Sequence, residues 1–142
     1  MDLKDRFLMN TDAETEGVWF VVGGPKERLK VARAANQVYA EALRKATKGR
    51  EMALELETLP EGESNDILAT AAAEGLLKDW EGMTRDGKAI KYSVTNAKRE
   101  MTDMPEFRRY VEKLSNRVDR FRAKQDADTE KNSERSSDLT SE

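Results

Sequence analysis

A chain of 142 residues has room for one domain and some margin around it. Lys and Arg number 25 against 28 Asp and Glu, so no overall field draws in nucleic acid or an anionic membrane, and charge has to be read segment by segment. Cysteine and histidine are both absent, which excludes disulfides, thiolate nucleophiles, imidazole bases and nearly every zinc or haem site.

The opening MDLKDRFLMN mixes acids with bases, has no apolar run of signal-peptide length, and nothing later approaches the roughly 18–20 apolar residues of a membrane span. The expectation is a soluble protein of the cytoplasm. Residues 1–15 offer Leu3, Phe7 and Leu8 as their only sizeable apolar group and read as a flexible arm able to dock as one helical turn. From Gly17 the run GVWFVV, the turn GGPK and the alternating RLKVAR predict a β-hairpin, with Gly23 and Gly24 supplying positive φ and Pro25 ending the first strand.

Ala35, Val38, Tyr39, Ala42, Leu43 and Ala46 recur at three- and four-residue steps and predict a helix over about 34–47, stopped by Gly49. Residues 50–62 read as a partly helical linker, broken at Pro60 and Gly62. Capped by Ser64 or Asn65, a second helix is predicted over 65–80, its stripe running from Ile67, Leu68, Ala71 and Ala72 through Gly75 and Leu76 to Trp80. Asp86-Gly87 makes a tight turn leading into a short extended piece, and Ser93 caps a short helix ending near Met101. Asp103 and Glu106 have capping-box spacing for a last helix, in which Phe107, Tyr110, Val111, Leu114, Val118 and Phe121 share a buried face. Residues 124–142 carry no apolar period and read as a disordered acidic tail. The fold class is therefore α+β, mainly α: an N-terminal β-hairpin on a bundle of about four helices, with 16–123 as the single domain.

The chemistry-bearing candidates are weak. Gly23-Gly24-Pro25-Lys26 lacks the spacing of a phosphate loop. Asp79, Glu81 and Asp86 suggest a calcium loop, but Met83 and Thr84 stand where a ligand and a glycine are needed. Asp79 and Glu81 flank Trp80, yet their side chains are expected to point apart, with no oxyanion site or phosphate clamp beside them. The arginines of the last helix are interrupted by Glu106, Glu112 and Asp119, and its aromatics are expected on the buried stripe, which disfavours nucleic acid. No catalytic, cofactor or metal residue is assigned, and no cofactor.

The order GVWF, LKVARAANQVYAEALRK, AAAEGLLKDWEG, DGKAIKYSVTNA and DMPEF resembles the tail assembly chaperone family of long-tailed bacteriophages and their prophages. Ala32-Arg33-Ala34-Ala35-Asn36 and Asp79-Trp80-Glu81-Gly82 carry the likeness, supported by Asp86-Gly87-Lys88 and Tyr92-Ser93. Family members often have proline where this chain has Gln37 and Val94. The resemblance implies a non-enzymatic assembly factor, made in the bacterial host cytoplasm and absent from the mature virion, that binds the tape measure protein, keeps it soluble and helps recruit tail tube protein. Physically, such a helper would cover apolar stripes reversibly. Trp19 and Val21 of the hairpin, with Leu68, Ala72 and Gly75 of the second helix, are the expected partner surface, which self-association could also use. Alternatives are a structural tail or connector protein retained in the virion and a small nucleic-acid-binding regulator.

Overall fold

Asp2 accepts the backbone N–H of Lys4 at 2.8 Å and starts α1 (Leu3–Phe7), and Asn10 accepts that of Ala13 at 3.0 Å and starts α2 (Thr11–Glu16). The computed structural model describes residues 1–123; the expected acidic tail, 124–142, lies outside the described residues. The N-terminal segment is tied to the end of the described chain, with Asn10 N–H donating to the Phe121 carbonyl at 2.8 Å and Ala123 N–H to that of Leu8 at 3.0 Å. Ala13 reaches the core.

Strands β1 (Val18–Val21) and β2 (Arg28–Val31) pair antiparallel, with Phe20 opposite Leu29. Neither Gly23 nor Gly24 adopts the expected positive φ; the turn is held by Glu27, whose carboxylate accepts the Gly24 N–H at 2.7 Å. Helix α3 (Gln37–Thr47) follows, then the short α4 (Glu51–Glu55) inside the segment expected to be partly helical.

Helix α5 (Glu61–Gly75) begins directly after Pro60, before the expected caps Ser64 and Asn65, and it stops before Trp80. The chain from Leu77 to Glu81 is instead strand β3, which pairs with β2 and turns the hairpin into a three-stranded sheet of order β1-β2-β3. The four-residue step from Leu76 to Trp80 fits a helix as well as a strand, and β2 decides between them. Trp80 lies opposite Leu29, completing an inner row with Phe20, all three buried.

Two-residue strands β4 (Thr84–Arg85) and β5 (Lys88–Ala89) form a small ribbon closed by Asp86 and Gly87, both at positive φ (54° and 78°) as a two-residue hairpin turn requires. Ser93 caps α6 (Val94–Asp103), accepting the Asn96 N–H at 2.9 Å. Helix α7 (Pro105–Ser115) lacks the expected capping box: Met104 is its N-cap, Pro105 takes the first turn, and Asp103 belongs to α6. It ends at Ser115, six residues short of Phe121, which sits in a 3-10 turn, Val118–Phe121.

Helix α5 packs on β3 and α7 on β2, α6 packs against α5 and α7, and α3 packs along α5. Leu29, Val31, Ile67, Leu76, Leu77, Met101, Val111 and Phe121 have almost no exposure, each stabilising the fold by about 1.5–3 kcal/mol through burial. Among the described residues no helix is long and apolar enough to cross a membrane.

Candidate functional site

The segment Ala32 to Asn36 is a junction. Ala32 N–H donates to the Leu76 carbonyl at 2.8 Å and Ala34 N–H to that of Ser115 at 3.0 Å, while Arg33 forms an ion pair with Glu14 of α2. Asn36 is buried. Its side-chain oxygen caps α3 by accepting the Tyr39 N–H at 2.9 Å, and its amide donates to the Gly75 carbonyl at 3.0 Å. One side chain thus fastens the start of α3 to the end of α5.

The second motif builds the far side of the sheet. Trp80 donates from Nε1 to the Ile90 carbonyl at 2.7 Å and meets Tyr92 edge-on, ring centres 5.2 Å apart. Tyr92 in turn donates its hydroxyl to the Leu77 carbonyl at 2.7 Å. Gly82 has φ 73°, and a Cβ there would lie 2.5 Å from the Lys26 carbonyl oxygen. Asp79 and Glu81 do not point apart: a strand places alternate residues on one face, here the outer one, where Glu81 binds Arg28 at 2.8 Å and Asp79 stands opposite Lys30. Arg85 clamps the ribbon to α6, donating to Glu100 at 3.0 Å and to Asp103 at 2.8 Å. Both ends of 79–93 therefore carry structural contacts.

The expected partner surface is not assembled. Trp19 is on the outer face of the sheet, with the Arg28 guanidinium 4.4 Å and the Lys30 ammonium 5.9 Å from its ring centre, and Val21 beside it is 42% exposed. Ala72 and Gly75 are core residues; a Cβ on Gly75 would fall 2.4 Å from Tyr39 Cα, so α3 already fills that small-residue face. Leu68 is half-buried.

What the structure offers is a groove between the β4–β5 ribbon and α6–α7. It holds about 180 Å³ and is lined by Trp80, Met83, Ile90, Glu100, Met104 and Phe107. A neighbouring hollow of about 400 Å³ shares Trp80, Met83, Thr84 and Ile90 with it. Met104 is 40% exposed, and Met83, Ile90 and Phe107 are half-buried. Methionine and aromatic walls adapt to varied apolar side chains. The sequence signal was faint: Met83 and Ile90 flank the Asp-Gly turn, while Met104 and Phe107 bracket the proline.

The last helix differs from expectation. Tyr110 (40% exposed) and Val118 (38%) lie at the surface, and Arg108 takes a buried place, bound to Glu112 at 2.8 Å and to Asn65 at 3.2 Å. Arg109 is held by Glu106 at 2.5 Å and Arg117 by Asp119 at 3.2 Å, so these cations are neutralised locally. Burial, then the Glu112 carboxylate, pushes the Tyr39 phenol above its ordinary range; burial, then Asp79, does the same for Tyr92.

Fold and site together define a small mixed α+β domain whose sequence motifs build its frame and whose apolar side chains open at surface grooves. The model of the family described as YdaY prophage protein matches residues 34–132, well over half of the chain, and the chain belongs to that family. No curated protein and no solved structure matches it.

Proposed function

We propose that this prophage protein is a tail assembly chaperone: it binds the tape measure protein, keeps it soluble in the cytoplasm of the bacterial host, helps recruit tail tube subunits, and leaves before the virion is complete. The reading rests on one observation above the others. Two short motifs that carry the resemblance to tail assembly chaperones, far apart in sequence, form the junctions on either side of one sheet, Asn36 at the α3–α5 contact and Trp80 at the β2–β3 contact. Family membership supports the phage setting.

The groove gives the proposal a surface. Met83, Ile90, Met104 and Phe107 present adaptable apolar walls of a size that accepts one or two side chains of an amphipathic helix, and the abundant charge elsewhere would keep the complex in solution. This site replaces the small-residue face of α5. Co-expression tests it: the tape measure protein of the same prophage should be soluble with the wild-type chain and should precipitate in its absence. If it stays insoluble with the folded chain, the chaperone reading fails. Mass spectrometry of purified particles should find the chain missing; stoichiometric amounts would point to a structural tail or connector component instead.

A further inference from the structure

We propose that α1 is a second docking site, for an amphipathic client helix whose apolar stripe is edged by carboxylates; this deepens the chaperone reading and depends on it. Helix α1 buries none of its residues, yet the two residues that follow it are tied to the body through the backbone, by Ala123 N–H to the Leu8 carbonyl at 3.0 Å and the bridge between Met9 and Arg122. It is therefore a presented element. Leu3 is 66% exposed, Phe7 62% and Leu8 52%. Single exposed apolar residues need no explanation, but Leu3 and Phe7 on the helix with Leu8 at its C-cap, three within six positions, form a patch that water disfavours.

Spacing gives the patch its shape. Leu3 and Phe7 stand four apart and share one side of the helix, forming a short ridge. Lys4 and Arg6, both exposed, follow Leu3 and precede Phe7 by one residue, which places one cation on each border of that ridge, while Asp5 falls on the reverse side. Neither cation forms an ion pair among the described residues. An apolar ridge with positive borders complements an apolar stripe with negative borders, and carboxylates at three- or four-residue steps on a facing helix would meet both cations. A second copy of α1 fits less well, because two-fold pairing of the ridges would bring cationic borders together. The site lies outside residues 34–132, so it is separate from the region that matches the family.

The probes are two synthetic amphipathic helices with the same leucine stripe, one edged by glutamates and one by lysines, titrated against the full chain. The glutamate peptide should bind at least about tenfold more tightly than its lysine twin, a gap that narrows with salt. Phe7→Ser should weaken it by about tenfold or more, and Lys4→Glu with Arg6→Glu should reverse the preference. Because α1 buries nothing, these variants should keep the wild-type circular dichroism and urea midpoint. Equal binding of the two peptides, binding of neither, or no effect of Phe7→Ser would overturn the site. So would a dimer in sedimentation that Phe7→Ser dissolves, which would make the ridge a self-interface, or binding to phosphatidylglycerol vesicles in preference to the glutamate peptide. Failure of the broader reading looks different: there the wild-type chain leaves the tape measure protein insoluble, whereas failure of α1 alone leaves Phe7→Ser as effective as wild type in co-expression.

Discussion

At the scale of the residue, Gly75 shows how little space the fold leaves. Its missing Cβ lets α3 close on α5, and the nearest obstacle to any added carbon is backbone, which cannot swing away. Gly75→Ala should therefore cost about 1–3 kcal/mol, read as a lower urea midpoint. Tyr92 gives a prediction with a pH axis. Its phenol and that of Tyr39 are held above the ordinary value of 10.0 in the folded chain, so the folded state keeps protons that the unfolded chain releases. Their contribution is intact below pH 10.0 and is lost as pH climbs through the raised values. Tyr92→Phe should lower stability at neutral pH, because the Leu77 carbonyl loses its donor, and should flatten the alkaline decline. Urea titrations between about pH 8 and 11 measure both effects.

At the scale of the element, the β4–β5 ribbon is the part whose attachment is most easily tested. Two residues per strand cannot hold a hairpin in water, so the ribbon depends on its anchors, the Trp80 bond to the Ile90 carbonyl at its base and Arg85, whose guanidinium reaches the buried Glu100 and the exposed Asp103. Arg85→Ala should lower the urea midpoint only modestly, because solvent around the arginine screens its ion pairs. Amide exchange from Gly82 to Ile90 should rise more than elsewhere. The same element shows where sequence patterns stop being informative. The Asp-Gly turn and the Ser93 cap were legible because each is a local bond between near neighbours. Strand β3 was not, since Leu76, Leu77 and Trp80 suit a helix until β2 supplies a partner with Leu29 at the matching position. Asp103 looked like a cap for the next helix, but Arg85, far from it in sequence, takes its carboxylate.

At the scale of the whole molecule, the groove beside the ribbon and the ridge on α1 are surfaces that folding leaves uncovered. Met104→Asp should leave stability close to wild type, because the side chain is 40% exposed, and, on the proposed chaperone function, should reduce co-purification of the tape measure protein several-fold. Trp19→Ser is expected to matter less, because Arg28 already covers the indole and Glu81 holds Arg28 in place. Equal loss in both variants would return the outer sheet face to consideration as a client surface.

Taken alone, the amino-acid sequence determined the fold class, the hairpin, the four main helices in outline and the prophage setting. Those follow from periodicity, from turn and cap chemistry within a few residues, and from the order of short motifs. Only the tertiary structure decided that Trp80 lies in a strand, that Ala72 and Gly75 face α3, that Arg108 is buried while Tyr110 is not, and that a methionine-lined groove opens beside the ribbon. The reason is physical: a residue's neighbours along the chain set its local geometry, but its burial depends on which distant element arrives to cover it.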